Sequence, residues 1–212
     1  QASTKQVLDM YFSGEARWFF PGPASDAAER WIAAGAHSTQ EAERTDRYLV
    51  LPGCDAAGIK IRDGKFEIKA RTSHPEPIAW SQAIAGFRDS WVKWSRDLND
   101  AGELAARPRD GETWVAASKQ RWVRLFSLET GSPVESAPGG PWLAAGCMVE
   151  KSVVRVASND YWSFCFEAFG EPDMLISHLD TMVRHVAAEA PALELPQDAS
   201  MSYPAWLATL VP

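Results

Sequence analysis

Charged residues recur at every second position in several short stretches of this chain. In "GIKIRDGKFEIKAR", Lys60, Arg62, Lys65, Glu67, Lys69 and Arg71 alternate with Ile59, Ile61, Phe66, Ile68 and Ala70. Lys119 and Arg121 repeat the spacing in "SKQRWVRLF", as do Glu15 and Arg17 in "EARWFF". Glu150 with Ser152, and Cys165 with Glu167, hold the same spacing in two later stretches. Arginine forks and lysine point charges match phosphate oxygens. Glutamates brought from separate strands suit a hard divalent cation, Mg²⁺ or Mn²⁺, that bridges to phosphates. Like charges repel more strongly as the dielectric falls. An enclosed space lined by these side chains must therefore be wet, internally paired or filled by an anion.

The same alternation has a plainer reading, since antiparallel sheets often turn one charged face to water. Repetition of the pairs on several strands, with aromatics on the opposite faces, favours convergence. Other candidates are weaker. His178 and His185 lie seven residues apart without a third metal ligand nearby and read as surface residues. Cys165, between Phe164 and Phe166, reads as an inert wall residue. The tryptophans read as packing rather than a base-stacking platform. The chain has no GxSxG, Walker or GxGxxG pattern.

Strands must position these residues. "EARWFF" alternates before Pro21-Gly22-Pro23 stops it. "TDRYLVLP" is a second strand. Asp63-Gly64 is a hairpin signal that makes Arg62 and Lys65 direct neighbours. Side chains alternate along each arm, so the cations share one face and the isoleucines the other. His74 to Pro77 reads as a linker, "GFRDSWVKWS", which holds Arg88, as a weakly alternating strand or else a helix, and "LNDAGELAARPRDGE" as a loop with a helical turn. "TWVAASKQRWVRLFSL" ends as a strand, and "ETGSPVESAPGGP" reads as a break. Gly146 to Gly170 reads as a hairpin turning at Ser158-Asn159-Asp160. Asp26 and Glu29 resemble a capping box before a short helix ending at Gly35. Leu175, Leu179, Met182 and Val186 predict an amphipathic helix over 173–190, followed by an apolar, docked tail. Seven or eight sequential strands with few helices predict a mainly β (α+β) fold, an antiparallel barrel with helices outside.

Bulk properties narrow the function. The chain has 212 residues and a net charge of −7, which argues against duplex nucleic acid and makes any cationic site local. No apolar run is long enough for a membrane span. Three cysteines without metal-type spacing read as reduced thiols of a cytoplasmic protein. The sequence starts at Gln1, which trimming and signal removal explain equally. Oligomeric state is not legible.

The order of these strands resembles the CYTH, or triphosphate tunnel metalloenzyme, superfamily over roughly residues 13 to 170. "EARWFF" stands where that family opens with E-x-E-x-K, and "GIKIRDGKFEIKAR" resembles its R-x-R hairpin with a strand lysine. "SKQRWVRLF" resembles its K-x-R strand, and "MVEKSVVRV" and "WSFCFEAFG" its last acidic strands. The resemblance implies one eight-stranded tunnel domain over 1–212. It further implies a triphosphate, polyphosphate or nucleoside triphosphate ligand and metal-assisted hydrolysis. Carried over by position, Glu15, Glu150 and Glu167 would be catalytic and metal-binding, while Arg17, Lys60, Arg62, Lys69, Arg71, Lys119 and Arg121 would hold the anion. Lys65 and Glu67 would lie nearer the rim. Departures thin the acidic half: Arg17 and Phe19 replace the second Glu and the Lys of the opening motif, and Ser152 and Cys165 replace acids. Two further readings therefore stand: a non-catalytic module of the same fold that binds a phosphorylated or other anionic ligand, and an unrelated antiparallel barrel acting in protein interaction.

Overall fold

In the computed structural model, residues 9–97, 114–137, 139–140 and 142–210 are described. The loop expected at 98–112 lies outside them. The strands are β1 (Asp9–Pro21), β2 (Thr39–Gln40), β3 (Arg44–Leu49), β4 (Ala57–Arg62), β5 (Lys65–Arg71), β6 (Glu76–Ala79), β7 (Ala85–Asp97), β8 (Trp114–Ser127), β9 (Val134–Ser136), β10 (Gly146–Val156) and β11 (Asn159–Phe169). The helices are α1 (Asp26–Ala33), α2 (Leu175–Glu189) and α3 (Tyr203–Leu210).

Eight strands hydrogen-bond in the order β1-β11-β10-β8-β3-β4-β5-β7, and β7 returns to β1, closing an antiparallel barrel. Closure removes the edges that an open sheet would expose. The mainly β barrel with flanking helices expected from the alternation is the fold observed. The Asp63-Gly64 turn has φ of 49° and 73°, the left-handed pair a two-residue hairpin needs, and it sets Arg62 opposite Lys65.

Several local expectations are corrected. Part of the linker at 74–77 is β6, which pairs β7, and the break at 129–141 contains β9, which pairs β8. Both are short strands that add to a longer one. The β10–β11 hairpin turns at Ala157-Ser158, one step before the predicted turn, with Ala157 at φ 53°. The cap of α1 is Ser25, whose hydroxyl accepts from the Ala28 amide, not Asp26.

Alternation along the strands creates two apolar bodies. The outward side chains Ala16, Trp18, Val149, Phe164, Phe166 and Ala168 pack beneath Leu179, Met182, Val183 and Val186 of α2 and Trp31 of α1. The second body lies inside one end of the barrel. There Phe19, Tyr48, Val50, Ala117, Val154 and Val156 surround Trp206 and Leu207 of α3. Each lumen-facing row thus changes character along its strand. On β1 it runs Ser13, Glu15, Arg17, Phe19; on β10 it runs Glu150, Ser152, Val154, Val156. The apolar end is where the C-terminal tail docks.

Candidate functional site

Beside α3 the lumen opens into a cavity of about 220 Å³. Its cations are Arg17 from β1, Arg44 from β3, Lys60 and Arg62 from β4, Lys69 from β5, Lys93 from β7, and Lys119 and Arg121 from β8. Its carboxylates are Glu15, Glu67, Glu150 and Glu167. Eight cations therefore face four carboxylates across one small space. The alternation of all eight barrel strands produces this, because every second side chain of each strand points inward.

Glu15 and Glu167 are cross-strand partners, and cations engage the carboxylates. Lys69 donates to Glu15, which also accepts from the Ser13 hydroxyl at 3.0 Å. Glu150 is 5% exposed and accepts from Arg17 at 3.2 Å and from Ser152 at 2.6 Å, with Arg121 Nε at 3.0 Å. Burial pushes the Glu150 carboxyl up, but Arg121, Arg17 and Lys119 outweigh it and hold it well below its usual range. For Glu167 the same contest is won by Lys69, Lys93 and Arg17, and its pKa is lowered. Glu67 accepts from Arg62 at 2.9 Å and lies 2.9 Å from Lys60. It is buried in the lumen, not at the rim; Lys65, next to the turn, is the exposed one.

Asp46 of β3 is a hub behind the wall. It is fully buried, accepts from the Tyr48 hydroxyl at 3.1 Å and from Arg44 Nε at 3.3 Å, and lies 3.6 Å from Lys60 and 4.0 Å from Lys119. Burial raises its pKa, and Lys60, Lys119 and Arg44 more than reverse that. Lys119 is 6% exposed; its ammonium stands 3.8 Å from the centre of the Tyr203 ring and 5.4 Å from that of Tyr48. Burial lowers the Lys119 pKa, Lys60 lowers it further, and Asp46 and Glu150 only partly compensate. Lys60 is shifted down in the same way, by burial first.

Of the residues singled out in the sequence, Glu15, Arg17, Lys60, Arg62, Lys69, Lys119, Arg121, Glu150 and Glu167 share this cavity. Arg71 does not. It pairs with Asp89 at 2.9 Å and Asp55 at 3.1 Å beside an adjoining cavity of about 230 Å³. Arg88 points out of the barrel, where it pairs with Glu76 and Asp180. The inward row of β7 is Asp89, Trp91 and Lys93 instead, since a frame shifted by one residue exchanges the two faces of a strand. Arg44, Asp46 and Tyr48 were equally overlooked, although they alternate within "RTDRYL". Tyr203 carried no signal, because a tail gives no hint of which space it enters. Cys165 is a wall residue as expected; burial raises its thiol pKa to about 12.

The three glutamates expected as metal ligands line the cavity without forming a ligand set. Among the described residues no group of three or more His, Cys, Asp or Glu side chains is placed to hold a metal ion. Cations occupy Glu15 and Glu150. Among the described residues, no helix is long and apolar enough to cross a membrane.

No family model matches the chain, and no curated protein matches it. Solved structures do. The PH1012 protein from Pyrococcus horikoshii OT3 is 15% identical, with 93% of this chain and 99% of that chain covered, at a TM-score of 0.41. A conserved hypothetical protein from Pyrococcus furiosus is 15% identical, with 90% of this chain and 98% of that chain covered, at a TM-score of 0.39.

Proposed function

We propose that the barrel lumen binds a phosphate-rich anion and that the chain is a divergent, CYTH-like anion-binding module. The observation that carries this reading is the excess of cations around one cavity, eight against four carboxylates. Asp46 behind the wall and Glu41 at its margin, 3.6 Å from Arg121, add two carboxylates, and cations still outnumber them. An unpaired cation in a low-dielectric space is costly. An oxyanion relieves that cost, and its several oxygens accept from arginine forks and lysines at once. The ligand class is a short polyphosphate or a phosphorylated small molecule.

A resident Mg²⁺ or Mn²⁺ does not fit the donor set, because lysines and arginines already engage Glu15, Glu67 and Glu150. Binding is assigned to the lysines and arginines alone, with Lys60, Arg62, Lys119 and Arg121 as the central contacts. Hydrolysis of the bound anion is the second activity that the resemblance implies, and it is read by the same experiment.

Isothermal titration with inorganic triphosphate tests the reading. The expected result is saturable binding that weakens as salt rises, and that loses about tenfold in each of Lys60→Ala and Arg121→Ala. Phosphate release measured alongside, with and without Mg²⁺, separates module from hydrolase. Absence of binding, or binding unchanged in both variants, overturns the proposal.

A further inference from the structure

The cavity is not cationic all round. Where it meets α3 and the chain leaving β3, its wall is built of Val50, Leu51, Pro204 and Leu207. Tyr48 and Tyr203, whose rings stack with centroids 4.7 Å apart, lie between this apolar wall and the cations. Val50 and Leu207 belong to the buried body that anchors α3, so the wall is held in place by packing and is not a loop surface. Pro204 approaches Gly58 of β4 closely enough that a Cβ there would sit 3.3 Å from its Cγ, which keeps helix and hairpin together.

A bare polyphosphate has no group to set against such a wall. Its oxygens would either leave the apolar side chains facing trapped water or lose hydration against them. We infer that the ligand is amphiphilic: a phosphate or diphosphate monoester whose charged head lies among Arg17, Lys60, Lys119 and Arg121 and whose apolar group lies against Leu51, Pro204 and Leu207. This rests on the proposed anion binding and adds the chemistry of the other half of the ligand. Ligand sites commonly combine an apolar lining with a few placed polar groups, and here the two meet at Tyr203, whose ring has the Lys119 ammonium 3.8 Å from its centre.

The test compares methyl diphosphate, butyl diphosphate and inorganic triphosphate as titrants of the full chain. Methyl and butyl diphosphate carry the same head and differ in apolar surface alone. Butyl diphosphate is expected to bind at least about tenfold more tightly than the methyl ester, somewhat more than half of what three added methylenes contribute when fully buried. Leu51→Asn, which removes the apolar surface without adding charge, should abolish that gain and leave triphosphate affinity within about twofold, with thermal unfolding confirming an intact fold. Leu51 is chosen because it is only half-buried, unlike Leu207. Equal affinities for the two esters, with triphosphate bound, overturn the amphiphile and leave the anion site standing. A gain that survives Leu51→Asn overturns the assignment to this wall. Failure of all three titrants overturns both readings.

Discussion

The rings of Phe19 and Trp206 stack with centroids 4.2 Å apart and planes 2° from parallel. Phe19 follows Glu15 and Arg17 in the inward row of the first strand, and an apolar residue suits the position beside α3. A lysine there would be buried against an indole and a set of valines, whereas a phenyl ring completes the seat of the C-terminal helix. Such a pair contributes about 0.5–1.5 kcal/mol beyond its burial.

Trp206→Ala should therefore cost about 3–5 kcal/mol of folding stability. It empties the centre of the apolar end and frees Tyr203 from its edge contact with the indole. Urea unfolding followed by tryptophan fluorescence measures it. A loss below about 1 kcal/mol would mean that α3 is not a structural part of the barrel.

Glu150→Gln should move stability and anion binding in opposite directions. Arg17 and Arg121 share this carboxylate, and its neutralisation leaves two buried guanidinium groups short of a partner. The expected loss is about 3–5 kcal/mol. With one negative charge fewer in the cavity, inorganic triphosphate should bind more tightly. Denaturation and titration on the same preparation read both signs, and weaker triphosphate binding would contradict the electrostatic account.

Lys119 ties the site to pH. Its pKa is below the ordinary 10.5, because burial, and then Lys60, disfavour the charged form. Between the folded and unfolded values the unfolded chain binds more protons, so this group's contribution to stability rises with pH across that window. Below the window its penalty is present in full. Lys119→Met should thus stabilise the protein near neutral pH by about 1 kcal/mol or more and flatten the alkaline rise. Lys60 and Arg44 remain to pair Asp46. An anion seated beside Lys119 favours its protonated form, so binding within the window should take up protons. Calorimetry in two buffers of different ionisation enthalpy checks this.

Acid should act through the lowered carboxylates Asp46, Glu67, Glu150 and Glu167. Unfolded carboxyls titrate at about 3.9–4.3. The stability these four supply is complete above that range and is lost as pH falls below it, through their folded values. Asp89 has the opposite sign, since burial raises its pKa despite the Trp91 hydrogen bond and Arg71. Chemical denaturation at successive pH values should show a plateau down to about pH 5 and a steep fall below about pH 4. In Asp46→Asn the plateau should be lower and the fall shallower.

Local patterning carried most of the barrel. Alternation over Gly58–Arg71, the Asp63-Gly64 turn and the apolar spacing of α2 are short-range signals, and they named the strands, the sharing of faces and the external helix. They also brought nine inward side chains to one list, because inside and outside of a strand follow from parity alone. What parity does not contain is the frame of a strand whose charges fall on both faces, as in β7, where Arg88 points out and Lys93 in. It does not contain which distant carboxylates meet Arg71, nor that Asp46 gathers Arg44, Lys60 and Lys119. Closure of β1 on β7 and the seating of α3 inside the lumen were likewise tertiary decisions. Residues 13 and 91, or 19 and 206, are neighbours only after the sheet has curled, and no local preference encodes how far it curls.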